Sequence, residues 1–126
     1  MQNLNVPLIV EVFAGRGSLS RAFTQAGFSV LSIDHDGSKA VVPMVTLDLT
    51  TSSGQAILWD ILQSPNLLGI HLGLPCGTAS LARERPVSEA LRAQGAPNPP
   101  PLRSAMFPLG LPNLSAYHQA KVDSAN

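Results

Sequence analysis

The sequence is short of cysteine, of charge and of aromatic side chains, and each shortage excludes something. A single cysteine, Cys76, cannot close a disulfide within the chain, which removes the disulfide-stapled class of small folds and implies a reducing, intracellular setting. Charged residues are 13% of the chain, about half the usual ~25%, and eight basic residues offset eight acidic ones. The surface as a whole is therefore neither cationic nor acidic, and net charge names no partner. No stretch approaches the ~20 apolar residues of a membrane helix, and Met1 to Pro7 places no basic flank before an apolar signal core, so a soluble protein is expected. The three histidines, His35, His71 and His118, show no metal-ligand spacing, and no metal is expected. With 126 residues and no internal repeat, the chain holds at most one modest domain.

What is plentiful is proline, 11 residues, and glycine, 10, and the prolines divide the chain near Cys76. Residues 1–76 carry four prolines and three basic against five acidic residues, whereas 77–126 carry seven prolines and five basic against three acidic. Alternating strands and helices are expected over 1–80, and a proline-rich loop with one or two short helices over 81–126. Residues 77–112 should be poorly packed, because proline removes backbone donors and no apolar periodicity is present.

Leu8 to Phe13 is mostly β-branched and apolar without strict alternation, the pattern of a strand buried on both faces of a parallel sheet. It stops at Ala14-Gly15-Arg16-Gly17, where Ser18 can cap a helix whose Leu19, Ala22, Phe23 and Ala26 recur at helical spacing before Gly27. Phe28 to Ile33 reads as a second strand, ending in Asp34-His35-Asp36-Gly37. A short third strand over 44–47 ends at Asp48; Ser52 or Ser53 caps a helix with the stripe Ile57, Leu58, Ile61 and Leu62, and Leu67 to Leu74 forms a fourth strand. Another helix is expected from Ser115 to Ala125. This alternation predicts an α/β, doubly wound parallel sheet of Rossmann-like type in the order 3-2-1-4, with ligands at the carboxyl ends of the strands. The fourth strand would then be an open apolar edge, and self-association through it is expected.

The polar clusters fall at those carboxyl ends. Gly15 and Gly17 let the backbone approach a ligand and aim amides at it, although a purely structural tight turn reads the same way and Ser20 stands at the third glycine of the dinucleotide fingerprint. Asp34, 19 residues after Gly15, is placed to accept both ribose hydroxyls of a nucleoside, or simply to cap its loop. Asp48 is either an acceptor for an adenine amino group or a solvated turn residue before Thr50 and Thr51. Glu11 is unusual, because a carboxylate in an apolar strand is costly unless paired; it belongs at the ligand mouth or in a strand-end ion pair. Cys76 follows Pro75 after the fourth strand, where it is either a buried small hydrophobe or a thiol facing the ligand crevice. Arg83, Glu84 and Arg85 are a solvated charge run, or Arg83 and Arg85 contact phosphates. His71 reads as a satisfied core histidine and Trp59 as helix-packing core.

The order Glu11-Val12-Phe13-Ala14-Gly15-Arg16-Gly17, then Asp34, Asp48 and Pro75-Cys76, resembles the DNA cytosine-5 methyltransferases over residues 8 to about 80. The resemblance implies that Phe13, Gly15 and Gly17 line an S-adenosylmethionine site, that Asp34 holds the ribose and Asp48 the adenine amino group. It further implies that Cys76 attacks carbon 6 of a flipped cytosine, which makes carbon 5 nucleophilic enough to take a methyl group. DNA is the partner so implied. The spacing of 63 residues from Phe13 to Cys76 suits the family, but Gly77-Thr78-Ala79-Ser80 replaces its Gln and Phe-Ser after Pro-Cys. Neither the family's Glu-Asn nor its later Arg-x-Arg follows Ser80 in place, and Arg83-Glu84-Arg85 comes too early for the second. The chain resembles the front part of such a domain, similar to those of some mobile-element proteins, and is expected to be inactive alone. Residues 81–126 would be the interrupted continuation. Two other readings stay open: a nicotinamide dinucleotide-binding unit, which leaves Phe13 and Pro75-Cys76 without roles, and a non-catalytic remnant acting as an interaction module.

Overall fold

The computed structural model describes residues 4–75 and 85–126, which divide into two compact units, Met1–Leu74 and Pro75–Asn126. In the first, β1 (Leu8–Val12), α1 (Ser18–Gln25), β2 (Ser29–Asp34), β3 (Val45–Thr46), α2 (Ser52–Ile61) and β4 (Leu67–Leu72) follow one another. The four strands form an open sheet in the order β3-β2-β1-β4, and every pairing is parallel. This is the doubly wound α/β arrangement that the alternation of strand and helix patterns predicts. The strands end one or two residues earlier than the apolar runs do, and β2 extends to Asp34.

Alternation along β1 separates two environments. Leu8, Val10 and Val12 join Ile33 and Leu47 in the core, against which Leu58, Ile61 and Leu62 of α2 pack. Glu11 points the other way, onto α1, where it meets Ser20. The two helices therefore cover opposite faces of the sheet.

The helix ends differ from the expected caps in an instructive way. α1 is preceded by Gly17 in the left-handed region, with no side-chain cap, so Ser18 is the first helical residue and not the cap. Its inward face is Ser20 and Phe23 rather than the Leu19-Ala22-Ala26 stripe, all three of which are exposed. At its end Phe28 N–H donates to the Phe23 carbonyl at 3.1 Å, and the two rings meet edge-on at 5.8 Å, a C-terminal lock with its hydrophobic contact. α2 is capped by Thr51, whose hydroxyl accepts from Gly54 N–H at 3.1 Å, one residue before the serines expected there.

Trp59 is 66% exposed, so the expectation of a packing tryptophan is corrected: it projects outward while Leu58, Ile61 and Leu62 fill the core. His71 is likewise not a core histidine. Its side chain is half exposed, because β4 stands at the end of the sheet and, among the described residues, has β1 as its one neighbour.

In the second unit, α3 (Glu89–Ala93) is capped by Ser88 and α4 (Ala116–Ala125) by Ser115. Between them the chain is irregular, and α3 buries nothing. Leu102 is nevertheless fully buried, and its carbonyl accepts from Leu111 N–H at 2.8 Å. Arg103 donates to the Pro108 carbonyl and to Asn126 Oδ1, both at 2.7 Å, tying this loop to the end of α4. Among the described residues no helix is long and apolar enough to cross a membrane.

Candidate functional site

The glycine turn after β1 is held in a conformation that few residue types tolerate. Phe13, Gly15 and Gly17 have φ of 60°, 58° and 78°, in the left-handed region where a side chain is strained. Phe13 takes this strain while its ring packs against the sheet core. At Gly17 a Cβ would also lie 2.4 Å from Val42 Cγ2, so the loop after β2 closes down onto the turn as only glycine permits. Val41 N–H donates to the Arg16 carbonyl at 2.8 Å and fixes that closure.

Asp34 lies at the end of β2, directly beside the turn. Its Oδ2 accepts from Gly15 N–H at 2.7 Å, and its Oδ1 accepts from both the His35 N–H and the His35 ring nitrogen Nδ1, each at 2.7 Å. Partial burial works to raise the carboxyl pKa, but those hydrogen bonds and the His35 charge outweigh it and hold Asp34 below its ordinary value. A cavity of about 240 Å³ opens here, lined by Gly15, Arg16, Asp34, His35, Asp36, Ser38 and Lys39.

Behind the turn, Glu11 is 4% exposed and fully engaged on one oxygen. Oε2 accepts from Ser20 N–H at 2.9 Å and from the Ser20 hydroxyl, which in turn accepts from the Ser32 hydroxyl at 2.6 Å. Oε1 faces His71 Nδ1 at 3.9 Å. A buried carboxylate thus occupies the first turn of α1, where free amides and the helix dipole favour negative charge.

The structure brings Glu11, Gly15, Gly17 and Asp34 around one turn. Asp48 does not line the cavity. Its Oδ1 accepts from Thr50 N–H at 3.0 Å and the Thr50 hydroxyl at 2.5 Å, which hold its carboxyl below the ordinary value and bend the chain into α2. Cys76 and Arg83 lie outside the described residues, and Arg85 is exposed in the second unit. Among the described residues no three His, Cys, Asp or Glu side chains gather as a metal site.

No protein-family model, curated protein or solved structure matches this chain. The site is therefore read from its own geometry. Sequence reasoning missed the ring of His35 as a partner of Asp34 and the serines as partners of Glu11. The only signal for the first is adjacency. For the second it is the pair of hydroxyls at positions 20 and 32, facing a carboxylate that needs donors.

Proposed function

We propose that the first unit is an S-adenosylmethionine-binding module of a nucleic-acid methyltransferase-like protein. The observation that carries this reading is Glu11 at the start of α1. A nicotinamide dinucleotide places its pyrophosphate on the amides of that helix terminus. Here Ser20 N–H and the Ser20 hydroxyl are already given to Glu11 Oε2, and the buried carboxylate opposes a second anion. A phosphate-free adenosine cofactor meets no such conflict.

The residues present fit that cofactor at its nucleoside end. Asp34, beside the Gly15 amide, is a ribose acceptor, and the cavity of about 240 Å³ lies just under the ~300 Å³ at which whole-ligand pockets begin, so it suits a ribose with part of its base. When bound, S-adenosylmethionine supplies a methyl group activated on a sulfonium. Cys76 as nucleophile toward cytosine, Asp48 as adenine acceptor, Phe13 and Gly17 as further lining, and DNA phosphates on Arg83 and Arg85 rest on the resemblance to the cytosine-5 methyltransferases.

Calorimetry tests the cofactor. The chain should bind S-adenosylmethionine in preference to a nicotinamide dinucleotide, and Asp34→Ala should weaken binding by ~1.5–3 kcal/mol, the range for hydrogen bonds to a charged group. Binding of the dinucleotide alone would sink the reading.

One observation favours a second reading, an interaction module. Among the described residues β4 pairs with β1 alone, and it exposes Leu68, Ile70 and Leu72, so a second copy or another strand has an apolar edge to join. Methyl transfer to cytosine-containing DNA by a protein carrying these residues separates the two.

A further inference from the structure

We propose that the ring of His35 is the internal occupant of the ribose site, a positioning residue that holds Asp34 in the absence of ligand and must leave for a vicinal diol to bind. The inference rests on the reading of Asp34 as a ribose acceptor. An ionised carboxylate offers about four lone-pair directions. Three of them are taken: one on Oδ2 by Gly15 N–H, and both on Oδ1 by the N–H and the ring of His35, each at 2.7 Å. One direction is left, enough for a single hydroxyl, whereas a ribose presents two.

The three donors are not equally removable. Gly15 N–H and His35 N–H belong to the backbone of the turn and the strand end, and displacing either would require the main chain to move. The His35 ring is 79% exposed, borders the cavity, and leaves Oδ1 by rotating about its own side-chain bonds. When it swings out, Asp34 has one free direction on each oxygen, which matches two neighbouring hydroxyls. The ring thus lowers affinity for ribonucleosides and keeps the carboxylate satisfied when the site is empty.

The experiment compares adenosine with 2′-deoxyadenosine on the wild-type chain, His35→Ala and His35→Asn, by calorimetry, with thermal melting to confirm folding. His35→Ala should bind adenosine roughly three- to tenfold more tightly, the effect of about one net hydrogen bond. Its affinity for 2′-deoxyadenosine should not change, because one hydroxyl already finds the free direction on Oδ2. His35→Asn, whose side-chain amide can again donate to Oδ1, should return adenosine binding toward the wild-type level. If the wild-type chain binds adenosine and His35→Ala leaves that affinity unchanged, weakens it, or tightens both ligands alike, the proposal is overturned while the ribose reading stands. If neither the wild type nor His35→Ala binds adenosine, the ribose reading fails and the proposal with it.

Discussion

β1 and β4 lie side by side, joined by five residue pairs, and read alike: Leu8-Ile9-Val10-Glu11-Val12 against Leu67-Leu68-Gly69-Ile70-His71-Leu72. Each is an apolar run with one titratable residue, and those two, Glu11 and His71, are register partners. All five residues of β1 are buried, whereas most of β4 is exposed. The difference lies in neighbours. β1 has a strand on either side and a helix over each face; among the described residues β4 has β1 alone, and a bulge at Leu68 further breaks its register. Similar sequence therefore produces a core in one strand and an accessible edge in the other.

The same substitution in the two strands should break this likeness most clearly. Leu8, fully buried, should lose about 2–5 kcal/mol on truncation to alanine, through lost transfer energy and the cavity left behind. Leu72, 53% exposed, should lose about 1 kcal/mol or less. Urea unfolding of both variants measures the contrast, and equal losses would mean that β4 is covered in solution.

The titratable partners sharpen the contrast on the polar side. Glu11→Ala strands the Ser20 amide and the hydroxyl chain in a buried place and should cost roughly 2–4 kcal/mol, since each orphaned buried group is worth ~1–3. Glu11→Gln, which keeps an acceptor, should cost less. His71→Ala, at an exposed edge and 3.9 Å from its partner, should stay within about 0.5 kcal/mol. Comparing the three melting curves decides whether Glu11 is held by α1, as its short contacts imply, or by His71.

The smallest effect concerns acid. Asp34, Asp36 and Asp48 are all held below the ordinary value of 3.8, Asp36 by hydrogen bonds from the Ser38 N–H and hydroxyl. A carboxyl whose folded pKa is depressed contributes stability that is present above the unfolded value and lost as pH falls through the folded one. Stability should hold from neutrality to about pH 5 and decline gently below pH 4, and Asp34→Asn should flatten part of that decline. A urea midpoint that rises on acidification would contradict the sign.

Much of the fold was legible because it depends on local pattern. The run from Leu8, the stripe Leu58-Ile61-Leu62, and Ser115 ahead of α4 each carry their own signal of strand, helix or cap. The errors share one cause. His71 and Trp59 read as core because apolar or helical surroundings indicate that some face is covered, without indicating which. In the site, Gly15, Gly17 and Asp34 were legible from spacing, and the ring of His35 was not: its acceptor, Asp34, is its neighbour in sequence, but adjacency alone does not fix which rotamer an exposed strand-end side chain takes.

Taken by itself, the amino-acid order determined the alternation of strands and helices, the glycines at the two tight positions, and hence a parallel sheet with its polar residues at one end. These follow from propensity, periodicity and allowed φ, all properties of a few neighbouring residues. Only the tertiary structure decided that Ser20, rather than an apolar neighbour, is the buried residue of α1, that Glu11 fills the helix terminus a phosphate would need, and that Asp34 is already occupied by its own neighbours. The contacts of Ser20 with Glu11 and of Gly15 with Asp34 join residues 9 and 19 positions apart across two strands and a helix, and a carboxylate selects such donors from whatever the closed fold brings within about 3 Å.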